Sequence, residues 1–161
     1  MSGAKPKTSL VVIARPAALL IVNADDEVRH LLEKAIPEPW RAKMSLAFSD
    51  DFTLLNADPP PDVVLINVKT EAHPCFRRLS KIQQRWPSSQ VIFLSPVDDI
   101  HLWAEAIRLG AYDFLPKPVD PDQLKWILQG ALGKKRTATE HLGQRKLSLR
   151  SSASPLQEFQ G

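Results

Sequence analysis

A doubly wound α/β domain, five parallel strands between two layers of helices, is the fold class that this 161-residue sequence predicts. Two observations carry it. Three unbroken apolar runs, Leu19-Leu20-Ile21-Val22, Val63-Val64-Leu65-Ile66 and Val91-Ile92-Phe93-Leu94, are too short for helices and read as strands covered on both faces. Segments with apolar residues at helical spacing lie between and after them. Strand and helix therefore alternate, which joins parallel strands through right-handed crossovers.

Taken in order, residues 1–16 read as a flexible lead-in with room for one short strand at Leu10 to Ala14. Leu19 to Val22 is the first core strand. Asp25-Asp26-Glu27 then place acids at the positive end of a helix whose apolar stripe is Val28, Leu31, Leu32 and Ala35, and Pro37 closes it. Met44 to Phe48 alternates enough for a second strand, after which Asp50 or Asp51 caps a short helix through Leu55. Pro59-Pro60-Pro61 is a stiff connector into the third strand, Val63 to Val68. Cys75 to Arg85 reads as a helix with Phe76, Leu79 and Ile82 on one face. Val91 to Leu94 is the fourth strand, Asp99 to Leu109 a helix with Gly110 beyond its end, and Tyr112 to Leu115 the fifth strand. The last helix has the strongest local signal. Asp120-Pro121-Asp122-Gln123 supplies a cap acceptor, a proline at the first helical position, an acid in the first turn and Gln at the capping-box position. Leu124, Ile127, Leu128, Ala131 and Leu132 follow at helical spacing.

Composition agrees and narrows the function. Hydrophobic content of 43% with 24% charged residues is ordinary for a soluble domain. The single cysteine, Cys75, excludes an internal disulfide and suits a reducing compartment. Lys5 and Lys7 before Leu10-Val11-Val12-Ile13 imitate a signal peptide, but Arg15 and Pro16 end the run too early, and nothing approaches a membrane span. A cytoplasmic protein is expected. The net charge of +3 is uneven: from Lys134 onward six cations face Glu140 and Glu158, a balance of +4, which leaves −1 on the first 133 residues. That tail lacks aromatic interleaving and reads as a solvated, serine-containing linker, the alternative being contact with nucleic acid or an acidic partner. His30, His73, His101 and His141 make no metal spacing, and there is neither a Gly-rich phosphate loop nor a nucleophile elbow. The expected division is lead-in 1–16, domain 17–133 and tail 134–161.

Functional residues of doubly wound sheets gather at the carboxyl ends of strands, and Asn67, Ser95 and Lys117 fall there. The strand wordings Pro61-Asp62-Val63-Val64-Leu65-Ile66-Asn67-Val68, Val91 to Ser95 and Gly110-Ala111-Tyr112-Asp113-Phe114-Leu115-Pro116-Lys117-Pro118 resemble the receiver domain of two-component response regulators. The resemblance covers Ala17 to Leu132 and implies a flavodoxin-like three-layer sandwich. It also implies phosphorylation of an aspartate after the third strand, with an acidic pair after the first strand holding Mg²⁺. A Ser or Thr and a Lys, after the fourth and fifth strands, would receive the phosphoryl oxygens.

This sequence departs from that pattern where the chemistry lies. Asn67 stands at the phosphorylated position. Matching Val28-Arg29-His30-Leu31-Leu32 to the family's first helix places the acidic pair at Asn23 and Ala24. A register two residues later would give Asp25 and Asp26 the metal role with a longer turn; otherwise these two are helix-capping acids. An amide is no nucleophile toward phosphorus, and Asn23, Ala24 and Asn67 offer Mg²⁺ no charge, so no cofactor is expected. Ser95 and Lys117 stand at the expected places, either to bind an anion or, for Ser95, to bond nearby backbone, with Lys117 pairing with the Asn67 oxygen or with Asp25. Phe114 matches the family's switch aromatic and is expected as static packing.

The resemblance implies a partner or dimer face on the helix over 99–109, the strand over 112–115 and the helix over 123–132. Its candidate contacts are Trp103, Ile107, Tyr112, Leu124 and Leu128, with Trp103 either an anchor or half-buried core. The 110–118 wording and the ending Leu156-Gln157-Glu158-Phe159-Gln160-Gly161 resemble nitrogen-regulator-type transcriptional activators, which reach DNA through a separate output domain. The expectation is a non-enzymatic, phosphorylation-independent pseudo-receiver acting through a protein partner or homodimer. A small-molecule or anion sensor using the emptied acidic pocket is the alternative.

Overall fold

Alternate residues of each central strand feed two different cores, as strands covered on both faces must. The computed structural model describes residues 15–50 and 57–133. Strands β1 (Ala17–Val22), β2 (Met44–Ser49), β3 (Val63–Asn67), β4 (Gln90–Ser95) and β5 (Asp113–Pro116) form one parallel sheet in the order β2-β1-β3-β4-β5. The described helices are α1 (Asp26–Ala35), α2 (Ala72–Arg85), α3 (Ile100–Arg108) and α4 (Pro121–Gly133). On one face Leu19, Ile21, Val63, Leu65, Ile92 and Leu94 pack with Val28 and Leu32 of α1 and Leu124 and Leu128 of α4. On the other, Leu20, Val22, Val64, Ile66 and Phe93 pack with Phe76, Leu79 and Ile82 of α2 and Trp103 of α3. Burying each large aliphatic side chain this way contributes about 1.5–3 kcal/mol before entropy is charged. The sheet order is the flavodoxin-like one, so the predicted fold class holds.

Local signals place most boundaries. Asp99 caps α3 by accepting the His101 amide, and Gly110 follows that helix with φ 104°. Gln83 of α2 reaches across to donate to the Leu109 carbonyl at 3.0 Å, and a Cβ at position 110 would collide with that amide. Glycine is therefore required there twice over. The third helix in the sequence pattern starts earlier than expected, at Ala72 rather than Cys75. Pro74 lies within its first turn, where a missing N–H costs no intrahelical bond. The short strand at Leu10 to Ala14, the short helix through Leu55 and the tail from Lys134 lie outside the described residues.

The expected partner face needs correction. Trp103 is only 5% exposed, Tyr112 2%, and Leu124 and Leu128 are fully buried, so four of its five named contacts belong to the core; Ile107 is half-buried. Trp103 turns inward into the core on the α2 side of the sheet, where its Nε1 donates to Asp113 Oδ1 at 3.3 Å. Among the described residues the large apolar side chains left exposed are Phe48, Val97, Ile100 and Trp126.

Candidate functional site

Strand order reverses between β1 and β3, leaving a crevice beyond their carboxyl ends. Asn23 follows β1 with φ 62°, a left-handed conformation that asparagine tolerates, and its N–H donates to the Ser49 carbonyl at 2.8 Å. That turn delivers Asp25 to the start of α1, where Oδ1 accepts the Val28 amide at 2.9 Å. Asn67 ends β3 and is wholly buried. Its Nδ2 donates to the Asn23 carbonyl at 2.9 Å and to Asp25 Oδ2 at 3.2 Å. Both amide protons are thus spent between a carbonyl and a carboxylate, two acceptors that would otherwise face each other uncompensated.

Asp25 is held below the ordinary carboxyl value of 3.8, first by the Val28 amide, then by the Asn67 bond and the Lys117 charge, against some opposing desolvation. A depressed folded-state pKa means that the stabilisation is full above the ordinary value and is lost as pH falls through the depressed one. Asp25→Ala is therefore expected to cost about 1 kcal/mol at neutral pH, as the loss of a helix cap does. Its melting temperature should converge with that of the parent chain below pH 3.8. Thermal melts across that range measure both.

The remaining site residues divide. Of the alternatives for Lys117, the bond to the Asn67 oxygen is not formed: Asn67 Oδ1 is buried and has no hydrogen-bond partner among the described residues. Such an acceptor costs about 1–3 kcal/mol. Lys117 is half-buried and acts on Asp25 only through its charge. Ser95 bonds nearby backbone as expected, donating to the Val97 carbonyl at 2.9 Å and accepting the Val97 amide at 3.0 Å. Phe114 is fully buried, edge-on to Phe76 with ring centroids 6.1 Å apart and tilted against Phe93. Ala24 is partly buried against the α1 core. Asp26 lines a groove between α1 and the segment Val119 to Pro121.

These residues do not fit a divalent cation. Mg²⁺ needs several hard oxygen ligands, with charge. The crevice offers one carboxylate, Asp25, already bonded to the Val28 amide and to Asn67. Among the described residues no group of three His, Cys, Asp or Glu side chains could hold a metal ion.

Two polar roles escaped the sequence reading. Asp25 was legible as a cap but not as the acceptor that ties α1 to β3. Asp113 accepts both Trp103 Nε1 and the Phe114 amide, at 3.3 and 2.8 Å. Its one signal was an acid set between two aromatics in a strand.

The model of the response regulator receiver domain matches residues 19–129, the span that holds the sheet and this crevice. The chain belongs to that family. It is 27% identical over 112 residues to the DNA-binding transcriptional regulator NtrC of Salmonella typhimurium, covering 70% of this chain and 24% of that protein. To the regulatory protein AtoC of Escherichia coli it is 30% identical over 114 residues, covering 71% and 25%. The chain thus spans about a quarter of the length of these relatives. A response regulator from Thermotoga maritima superposes with a TM-score of 0.64 at 18% identity, covering 74% of this chain and 99% of that one. The pilus assembly protein CpaE from Caulobacter crescentus gives 0.61 at 22%, covering 70% and 92%. The fold is therefore the receiver fold, and the transcriptional regulators are relatives in sequence. Among the described residues no helix is long and apolar enough to cross a membrane.

Proposed function

We propose that this chain is a phosphorylation-independent receiver that regulates a transcriptional output by protein contact in the cytoplasm. Residues 17–133 form the signalling domain and 134–161 lead toward an output domain that meets DNA. The observation that carries the reading is the Asn67 amide, which bonds Asn23 and Asp25 directly. One neutral group occupies the nucleophile's position and cross-links the two loops that a bound cation would otherwise join. The anion-sensor alternative finds less support, because the buried unpartnered atom of the crevice is an acceptor and repels an anion. Contact with the output belongs on the side of α3 and α4, where Ile100 and Trp126 are exposed, and not on Trp103. No catalytic role is assigned to any residue.

The test is direct. Incubated with Mg²⁺ and acetyl phosphate, the chain should show no hydroxylamine-sensitive shift on a phosphate-affinity gel, because an amide cannot form an acyl phosphate. A labile shift abolished by Asn67→Ala would overturn the proposal.

A further inference from the structure

We propose that α1 carries a self-complementary face through which two copies of this chain pair about a two-fold axis. The face includes neither Asn67 nor the exposed Ile100 and Trp126, although Pro121 beside it opens α4. It borders a groove of about 460 Å³ lined by Asp26, Glu27, His30, Leu31 and Lys34 of α1, with Val119 and Pro121 as the opposite wall. Glu27, His30, Leu31 and Lys34 recur at intervals of three, one and three residues, so they share one stripe of the helix. Leu31, Val119 and Pro121 are half-buried and give the groove an apolar floor, while Glu27, His30 and Lys34 are exposed on its rim.

The charges on that stripe are arranged for a copy of the same helix. The acids, Asp26 and Glu27, stand in its first turn and Lys34 in its last. An antiparallel second copy, crossing on an axis between His30 and Leu31, sets Glu27 against Lys34 of the second copy and Lys34 against its Glu27. It also sets His30 against Leu31 twice. A two-fold interface demands this reciprocity, in which each residue that meets another is met by it in return. A parallel copy, or the same axis moved by one turn, would bring like charges together. A helix of ten residues is about 15 Å long. Its patch is small beside the roughly 800 Å² per partner of stable complexes, so the dimer is expected to be weak and salt-sensitive.

Sedimentation of the full chain over a concentration series tests this. The parent chain should show a reversible monomer–dimer equilibrium that weakens as salt rises. Glu27→Lys and Lys34→Glu each place like charges in both symmetry-related contacts and should raise the dissociation constant about tenfold. The decisive arm is the mixture of the two variants. In the mixed dimer each contact again joins opposite charges, so association should return to the parent level, as it should in the double variant Glu27→Lys/Lys34→Glu. Both reversals oppose the helix dipole, so their melts are recorded alongside. Glu27→Gln and Lys34→Gln, milder on the helix, should weaken the dimer by a smaller factor. A chain that stays monomeric to millimolar concentration, a dimer indifferent to both reversals, or a mixture that fails to recover overturns the proposal. The phosphate-labelling result bears on the crevice alone, so the two proposals can fail separately.

Discussion

Trp103→Ala is expected to destabilise the domain by about 3–5 kcal/mol, the usual cost of emptying an aromatic site in a packed core. The indole is 5% exposed, packed among the residues of α2, β4 and β5 on its face of the sheet, and its Nε1 donates to Asp113. Removing it opens a cavity in that core and deprives the buried Asp113 carboxylate of a donor, which adds to the loss. Urea titration should show the midpoint falling with an unchanged slope, the mark of lost stability in a still two-state domain. Ile100→Ala, at an exposed position, should leave the midpoint nearly where it was. If Trp103→Ala instead kept the midpoint and abolished only binding to an output partner, the ring would be an anchor and its placement in the core wrong.

The two readings left open for Trp103, anchor or core, show what sequence periodicity leaves undecided. α3 has apolar residues at 100, 102, 103, 104, 106 and 107, more than one face of a nine-residue helix can hide. Spacing alone allows either Ile100 or Trp103 to point inward. In the fold Trp103 faces the core and its indole N–H donates to the buried Asp113 carboxylate, a tertiary contact that a helical pattern does not encode. The strands were legible for the opposite reason: runs such as Val63 to Ile66 admit one burial state, and all of β3 is buried. Asn67, Ser95 and Lys117 were placed correctly at strand ends because doubly wound topology puts them there. What Lys117 does was not legible, since a lysine's reach allows several partners and Asn67 Oδ1 has none among the described residues.

Restoring an acid at position 67 should harm the resting domain before it helps any chemistry. Asn67→Asp removes both donated hydrogen bonds and sets a second carboxylate against Asp25 Oδ2 and the Asn23 carbonyl. Losing those donors and setting a carboxylate at the buried position 67 beside the exposed Asp25 should cost roughly 2–4 kcal/mol at neutral pH. The pH dependence should change sign. The parent chain loses Asp25's contribution as pH falls, because that carboxyl is depressed. In the variant one of two neighbouring carboxyls is pushed above its unfolded value, so the folded state holds the extra proton and stability recovers toward acid. Denaturation at pH 4.5 and 7.5 should show the variant's deficit widening with pH. A variant as stable as the parent at both values would mean that the amide bridges contribute nothing. The single change should remain a poor phosphoacceptor, since one added carboxylate cannot assemble a Mg²⁺ site. Asn23→Asp/Ala24→Asp/Asn67→Asp supplies the missing charge and should be less stable still without metal. Mg²⁺ at about 100 times its dissociation constant would then return ~2.7 kcal/mol, a gain the parent chain should not show. Equal stabilisation of the parent by Mg²⁺ would place a metal where Asn67 now bonds Asp25. The amide would then be a ligand, and no longer the group that makes the cation unnecessary.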